Sequence, residues 1–210
     1  MILRNYYWYW TEEIKPEACK VILRRGLMLK GEEKIGAIES LEEKISLDEQ
    51  GVNDPEKVRN SKVVFLNDQW IYDIILPYIN RANREAGWNF QVDYCEPCQF
   101  TTYNKGEFFN WHADSFGYIN KSNHKGLNGK IRKLSAVLTL SDPKDYEGGD
   151  LEVSFPYRKI YKSPLTRVLA QVRPQGSIIV FPSFLEHRVK EVTSGTRYSL
   201  VCWNVGYPYK

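Results

Sequence analysis

After Trp88 the chain changes its period. Apolar and polar residues alternate in short runs, and the runs end at turn signals: Asn104-Lys105-Gly106, Asp142-Pro143, Gly148-Gly149, Pro174-Gln175-Gly176 and Ser194-Gly195. Successive side chains of a strand point to opposite faces, so period-two runs broken by Gly, Pro and Asn read as strands of a sheet. Candidate strands cover 89–94, 99–103, 107–114, 133–141, 150–155, 167–172, 177–181, 187–192 and 196–205. So many short strands predict a sandwich or jelly roll. Aromatics at 14%, with fourteen Tyr and six Trp, favour strands and buried pockets over a helical bundle.

Upstream the spacing is helical. Residues 15–29 place Ile14, Ala18, Val21, Ile22 and Leu29 on an apolar stripe, with Pro16 suited to a first turn and Gly26 expected to end or bend the helix. Residues 31–55 are polar, with an exposed loop expected around Asp48-Glu49-Gln50-Gly51. Val63 to Leu66 reads as a short buried strand. Asn67 or Asp68 is positioned to cap a helix carrying Trp70, Ile71, Ile74 and Ile75, which Pro77 should kink or restart and Gly87 should stop. The expected fold is mainly β with N-terminal helices (α+β). Residues 1–88 form a helical support region integral to the fold, and 89–210 form the β core, with the helices packed on the outside of the sheet. A chain of 210 residues suits one core.

The charge balance of 29 basic and 26 acidic residues, net +3, does not call for nucleic-acid binding. Cys95 and Cys98 form a CxxC pair without the second pair that a zinc ribbon needs, so all four cysteines read as free thiols of a reducing compartment. The absence of a signal-like N-terminus and of a long apolar run leads to the expectation of a soluble cytosolic protein with no membrane partner.

The chemistry concentrates in Tyr103-Asn-Lys-Gly-Glu-Phe-Phe-Asn-Trp-His112-Ala-Asp114. On a strand His112 and Asp114 share a face, while Phe109, Trp111 and Ala113 are expected on the other. An imidazole and a carboxylate so placed can share a metal ion. Of the two other histidines, His124 lies in the polar 115–130 stretch, read as a mobile, exposed loop, whereas His187 follows the apolar strand Ser177-Ile-Ile-Val-Phe181. Two His and one carboxylate on one face of an octahedral ion leave three positions open, the arrangement of non-haem Fe(II) oxygenases. A 2-oxo acid fills two and dioxygen the third. A dianionic cosubstrate also needs a cation at its far end. Arg197, ten residues after His187 and across a turn, can supply a two-pronged guanidinium, with Ser199 adding a hydroxyl from the same face.

These residues resemble the prolyl 4-hydroxylase-like 2-oxoglutarate/Fe(II) oxygenases over about 99–203, with weaker similarity around 59–70. The motifs are Tyr103-Asn-Lys-Gly, His112-Ala-Asp114, Glu147-Gly-Gly-Asp-Leu151, Gly176-Ser-Ile-Ile-Val-Phe-Pro182, His187-Arg-Val and Gly195-Thr-Arg197-Tyr-Ser-Leu-Val-Cys-Trp203. The resemblance implies a double-stranded β-helix and His112, Asp114 and His187 as iron ligands. Arg197 is implied on the 5-carboxylate of 2-oxoglutarate, where collagen-type members often carry Lys and the oxygen-sensing type Arg. It further implies Tyr103 as a phenol bonded to the cosubstrate and a hydroxyl from Ser135 or Thr139, which share a face by parity. Trp203 is implied near the substrate. The cofactors implied are Fe(II) with 2-oxoglutarate and O2, with ascorbate in support. The reaction implied is hydroxylation of a C–H bond, of a prolyl residue in a peptide or protein, with release of succinate and CO2. The 115–130 loop and Phe155-Pro-Tyr-Arg-Lys-Ile-Tyr could form a groove for such a chain. A free amino acid or other small molecule is the alternative substrate. Other classes are a cupin-like metal enzyme without 2-oxoglutarate, which would not need Arg197, and a non-catalytic jelly-roll binding module, which would be expected to have lost a ligand.

Overall fold

The alternation read after Trp88 becomes two facing antiparallel sheets. The structure, a computed structural model, describes residues 3–29, 34–35, 58–115, 118–155 and 165–209. In chain order the elements are β1 (Trp8–Trp10), α1 (Pro16–Met28), β2 (Lys34–Ile35), β3 (Arg59–Asn60), β4 (Lys62–Leu66) and α2 (Gln69–Glu85). They continue with β5 (Tyr94–Cys95), β6 (Cys98–Asn104), β7 (Phe108–His112), β8 (Ile131–Thr139), β9 (Tyr146–Gly148) and β10 (Leu151–Phe155). Last come β11 (Leu165–Val168), a 3-10 turn (Ala170–Val172), β12 (Ile178–Pro182), β13 (Glu186–Val189) and β14 (Val192–Gly206). Among the described residues, the larger sheet runs β1-β12-β8-β14-β6-β4-β2, with β5 and β9 also paired to β14. The smaller runs β11-β10-β13-β7-β3. The protein is a jelly roll, mostly β, with helices on one face.

The larger sheet is buried on both sides, which explains its continuous apolar runs. On β12, Ile178 and Val180 pack toward the helices with Ile22, Ile71, Ile75 and Ile79. The intervening Ile179 and Phe181 point inward, to Val153 and Val189 of the opposing wall. Residues upstream of 88 contribute strands to both sheets as well as the two helices.

Several local expectations change in the tertiary context. Helix α1 does not end at Gly26. A Cβ there would lie 2.5 Å from ring atoms of the fully buried Phe100, so glycine at this position lets helix and sheet approach. Gly26→Ala should therefore lower stability by about 1–2 kcal/mol, the overpacking cost less the helix-propensity gain. The melting temperature should fall by a few degrees; an unchanged value would show that Phe100 swings aside. Val21 is 49% exposed rather than part of the buried stripe, which Cys19, Ile22 and Gly26 form instead. Asp68 starts α2 without a side-chain cap, because its carboxylate takes Arg25 Nε at 3.1 Å. Pro77 lies inside α2 without restarting it, and Gly87, with φ +75°, ends it as expected.

The run 89–94 is strand only at its end, from Tyr94. Asn89 has φ +51°, and the Asn83 amide instead satisfies both the N–H and the carbonyl of Phe90. Within 167–172 the strand stops at Val168 and turns into the 3-10 segment. His124 is exposed. The Asp48-Glu49-Gln50-Gly51 loop and nearly all of the Phe155–Tyr161 groove stretch lie outside the described residues. No helix among the described residues is long and apolar enough to cross a membrane.

Candidate metal centre and cosubstrate pocket

Strands β7 and β13 pair with His112 directly opposite His187. Asp114 follows two residues later, where the Ser115 N–H donates to the Ser183 carbonyl at 2.9 Å. One ligand atom from each of His112, Asp114 and His187 lies within 4.8 Å of the others. His112 Nε2 is 3.8 Å from Asp114 Oδ1, and His187 Nε2 is 3.6 Å from Oδ2. Each ring is oriented by its other nitrogen: His112 Nδ1 donates to the Asn110 carbonyl at 2.7 Å and His187 Nδ1 to that of Leu185 at 2.9 Å. With Nδ1 protonated, both Nε2 lone pairs face the carboxylate, which is the tautomer a metal ion needs.

The charges agree. Burial, and then the neighbouring His187, lower the His112 pKa to about 3, so its imidazole is neutral at physiological pH. Burial alone would raise the Asp114 pKa. The two imidazoles, Arg132 and the Ser135 hydroxyl overcome it and hold the carboxyl below its usual range. Two imidazole nitrogens and one carboxylate oxygen, closed off from solvent, fit a divalent ion of the Fe(II) type.

Strict alternation fails beside the His112–His187 pair. On β13 His187 and Val189 are two apart, but their partners on β7, His112 and Phe109, are three apart. The extra residue is a β-bulge, and it reverses parity. Phe109 therefore faces inward and stacks on His112, centroids 3.4 Å apart and planes at 10°. Trp111 stays outside as expected, under the Arg188 guanidinium at 4.6 Å.

Register along β14 sorts the other expected residues. Arg197 is opposite Tyr103, Ser199 opposite both Thr101 and Thr139, and Trp203 opposite Ser135. Arg197, Ser199, Thr139 and Tyr103 are all buried. Arg197 Nη1 donates to Ser199 Oγ at 3.3 Å, and its Cζ lies 5.4 Å from the Tyr103 ring centre. A small cavity lined by Thr139, Gly149, Leu169, Val172 and Arg197 opens at this end. Gly149 has φ +62°, and a Cβ there would come within 2.9 Å of Arg197 Cδ, which accounts for glycine in Glu147-Gly-Gly-Asp-Leu151. Thr139 Oγ1 already donates to the Val172 carbonyl at 2.7 Å, which leaves it an acceptor in this pocket.

Ser135 lies at the other end. Its Oγ donates to Asp114 Oδ2 at 2.6 Å and contacts Ser183 Oγ at 2.9 Å. The two hydroxyls that parity could not separate thus stand at opposite ends of the interior. Ser135→Ala should weaken metal retention about 10- to 100-fold, the usual cost of losing a group that orients a ligand. Titration of metal-free protein with Mn(II) would check it; an unchanged affinity would mean Asp114 needs no such support. Trp203 is buried beneath the Arg132 guanidinium at 3.9 Å, and Arg132 is held by Glu96 through two bonds of 2.7 Å.

Sequence reasoning did not assign roles to Arg59, Phe109 and Arg132. Arg59 comes from β3, a strand too short to show a period, and only its pairing with β7 brings it to the site. The cysteines are free. Cys98 and Cys202 have sulfurs 3.0 Å apart on the helix-packed face. The Cys98 side-chain contact with Cys202, together with burial, pushes its thiol far above the usual range, which keeps it protonated.

A jelly roll whose interior holds a His-Asp-His cluster and a buried guanidinium belongs to the class built for a metal ion with open positions. The family model of the 2OG-Fe(II) oxygenase superfamily matches residues 98–205, just over half of the sequence, and the chain belongs to that superfamily. Its cofactors are accordingly Fe(II), 2-oxoglutarate and O2. The PKHD-type hydroxylase PiuC of Pseudomonas aeruginosa is 32% identical over 108 residues, 51% of this chain; the matched stretch spans 42% of that relative's length. Two solved structures share the fold. A Pseudomonas putida prolyl-4-hydroxylase has TM-score 0.65 and 17% identity, covering 96% of this chain and 92% of its own. A Trichoplax adhaerens prolyl hydroxylase, in complex with a hypoxia inducible factor oxygen degradation domain peptide fragment, has TM-score 0.67 and 16% identity, covering 96% and 84%.

Proposed function

We propose that the chain is a dioxygenase that hydroxylates a C–H bond of a prolyl residue in a peptide or protein, releasing succinate and CO2. The observation that carries the oxidising part is the convergence of His112, Asp114 and His187, with both Nδ1 atoms committed to backbone carbonyls. In this reading those three side chains hold Fe(II), and Arg197 binds the 5-carboxylate of 2-oxoglutarate with help from Ser199 and Tyr103. Fe(II) with 2-oxoglutarate and O2 supplies oxidative decarboxylation coupled to insertion of one oxygen into the substrate. The protein's share is placement: the imidazoles and Asp114 fix the ion, Arg197 fixes the far end of the cosubstrate, and the apolar wall of Phe181, Val189 and Val153 keeps water out. Trp203 and Arg132 form the wall nearest Asp114 and Ser135, where the substrate would approach.

The prolyl assignment is supported by the prolyl hydroxylases that share this fold, one of them bound to a peptide. A library of proline-containing peptides, incubated with protein, Fe(II), 2-oxoglutarate and air, tests it. The expected result is a peptide heavier by one oxygen, with succinate formed in equal amount. Succinate release stimulated by free amino acids but by no peptide would move the substrate to the small-molecule class.

A further inference from the structure

Arg59 is the group that the proposed chemistry leaves unused. It is 5% exposed, and its Nη2 is buried with no hydrogen-bond partner. Its Nε donates to Ser61 Oγ at 2.7 Å, a neutral acceptor, and among the described residues no ion pair is formed by this guanidinium. Its Cζ lies 4.5 Å from the centre of the Phe109 ring, the ring that stacks on His112. Besides burial, the groups that act on its charge are Tyr103 and Asp114 favourably and Arg132 unfavourably. The buried Tyr103 phenol feels the charge of both Arg59 and Arg197, and Arg197 lies over its ring at 5.4 Å.

A buried guanidinium without a carboxylate is costly unless a ligand completes it. Its planar fork matches carboxylates and phosphates, and of these the cosubstrate of the proposed reaction carries carboxylates. We propose that Arg59 is a second anion-binding residue of the active site, whose free Nη2 receives a carboxylate delivered beside the His112–Asp114–His187 cluster. The carboxylate has two possible sources: the one adjoining the keto group of 2-oxoglutarate, or one carried by the substrate itself. The inference rests on the oxygenase reading above.

The test uses the whole chain loaded with Mn(II), so that no turnover intervenes, and two calorimetric titrations. The first adds 2-oxoglutarate. The second adds N-acetyl-L-proline, and separately its amide, to the protein saturated with 2-oxoglutarate. Arg59→Gln should weaken one of the two by about tenfold or more, the loss expected for a hydrogen bond to a charged group, and Arg59→Lys should keep part of it. A loss in the first titration assigns the cosubstrate. A loss confined to the second, with the wild type preferring the acid to the amide, assigns a carboxylate-bearing substrate. Should Arg59→Gln not fold, Arg59→Lys and the wild-type acid–amide preference carry the same comparison. If Arg59 serves stability alone, the variants melt lower while both titrations match wild type, and the proposal is overturned. It is overturned equally if 2-oxoglutarate binding is unchanged and the wild type binds no acid. If the wild type takes up neither Mn(II) nor 2-oxoglutarate, the oxygenase reading fails and this inference falls with it.

Discussion

Asp114→Ala should abolish succinate formation and leave the fold intact. Asp114 supplies the only anionic atom of the cluster, with one oxygen toward each imidazole at 3.8 and 3.6 Å. Without it two imidazole nitrogens remain, and neither offsets the charge of a divalent ion. Groups that merely orient a metal ligand already cost about 10- to 100-fold when removed, so loss of a ligand should exceed that range. The metal-free variant should still fold, melting a few degrees below metal-free wild type, because Ser135 loses its carboxylate partner but keeps its contact with Ser183. The contrast should appear on adding Mn(II): wild type gains thermal stability in proportion to binding, and the variant gains none. Turnover at the wild-type rate would remove Asp114 from the metal site.

Arg197→Ala should act at the other end of the interior. The guanidinium is buried against Ser199 and Tyr103, and the cavity beside it is lined by Thr139, Leu169 and Val172. Truncating one partner of a buried charge pair costs about 2–5 kcal/mol, or roughly 30-fold to several-thousand-fold in the affinity for 2-oxoglutarate. Mn(II) affinity should stay within about twofold, because no hydrogen bond links Arg197 to the metal-site residues. The two readouts separate this variant from Asp114→Ala, in which the metal is lost first. A variant that binds 2-oxoglutarate as tightly as wild type would place the cosubstrate elsewhere, and Arg59 would then be the cation to examine.

Much of the site was legible because its signals are local. His112 and Asp114 are two residues apart, and the apolar strand before His187 announces a buried return. Arg197 and Ser199 share parity on one long strand, β14, which also sets them opposite Tyr103 and Thr139. The fold class followed from the short period-two runs and their turns. Less was legible where a side chain's direction depends on a second strand. Phe109 was expected outside, and the bulge against β13 turned it in. Asn89 to Asp93 alternates like a strand, yet it forms no ladder: Asn83 takes the Phe90 backbone, and only at Asp93 does an N–H reach β14, at the Val205 carbonyl.

The sequence by itself determined a jelly roll with helices outside, and which two imidazoles, carboxylate and guanidinium would face its interior. Alternation, turn chemistry and apolar runs are properties of neighbouring residues, and they survive whatever packs around them. Only the tertiary structure decided that Ser135 serves Asp114 while Thr139 lines the cavity beside Arg197, that Phe109 backs His112, and that Arg59 arrives from a two-residue strand with one nitrogen unpaired. Those outcomes depend on register, bulges and burial, which come into being when strands distant in sequence pair and exclude water between them.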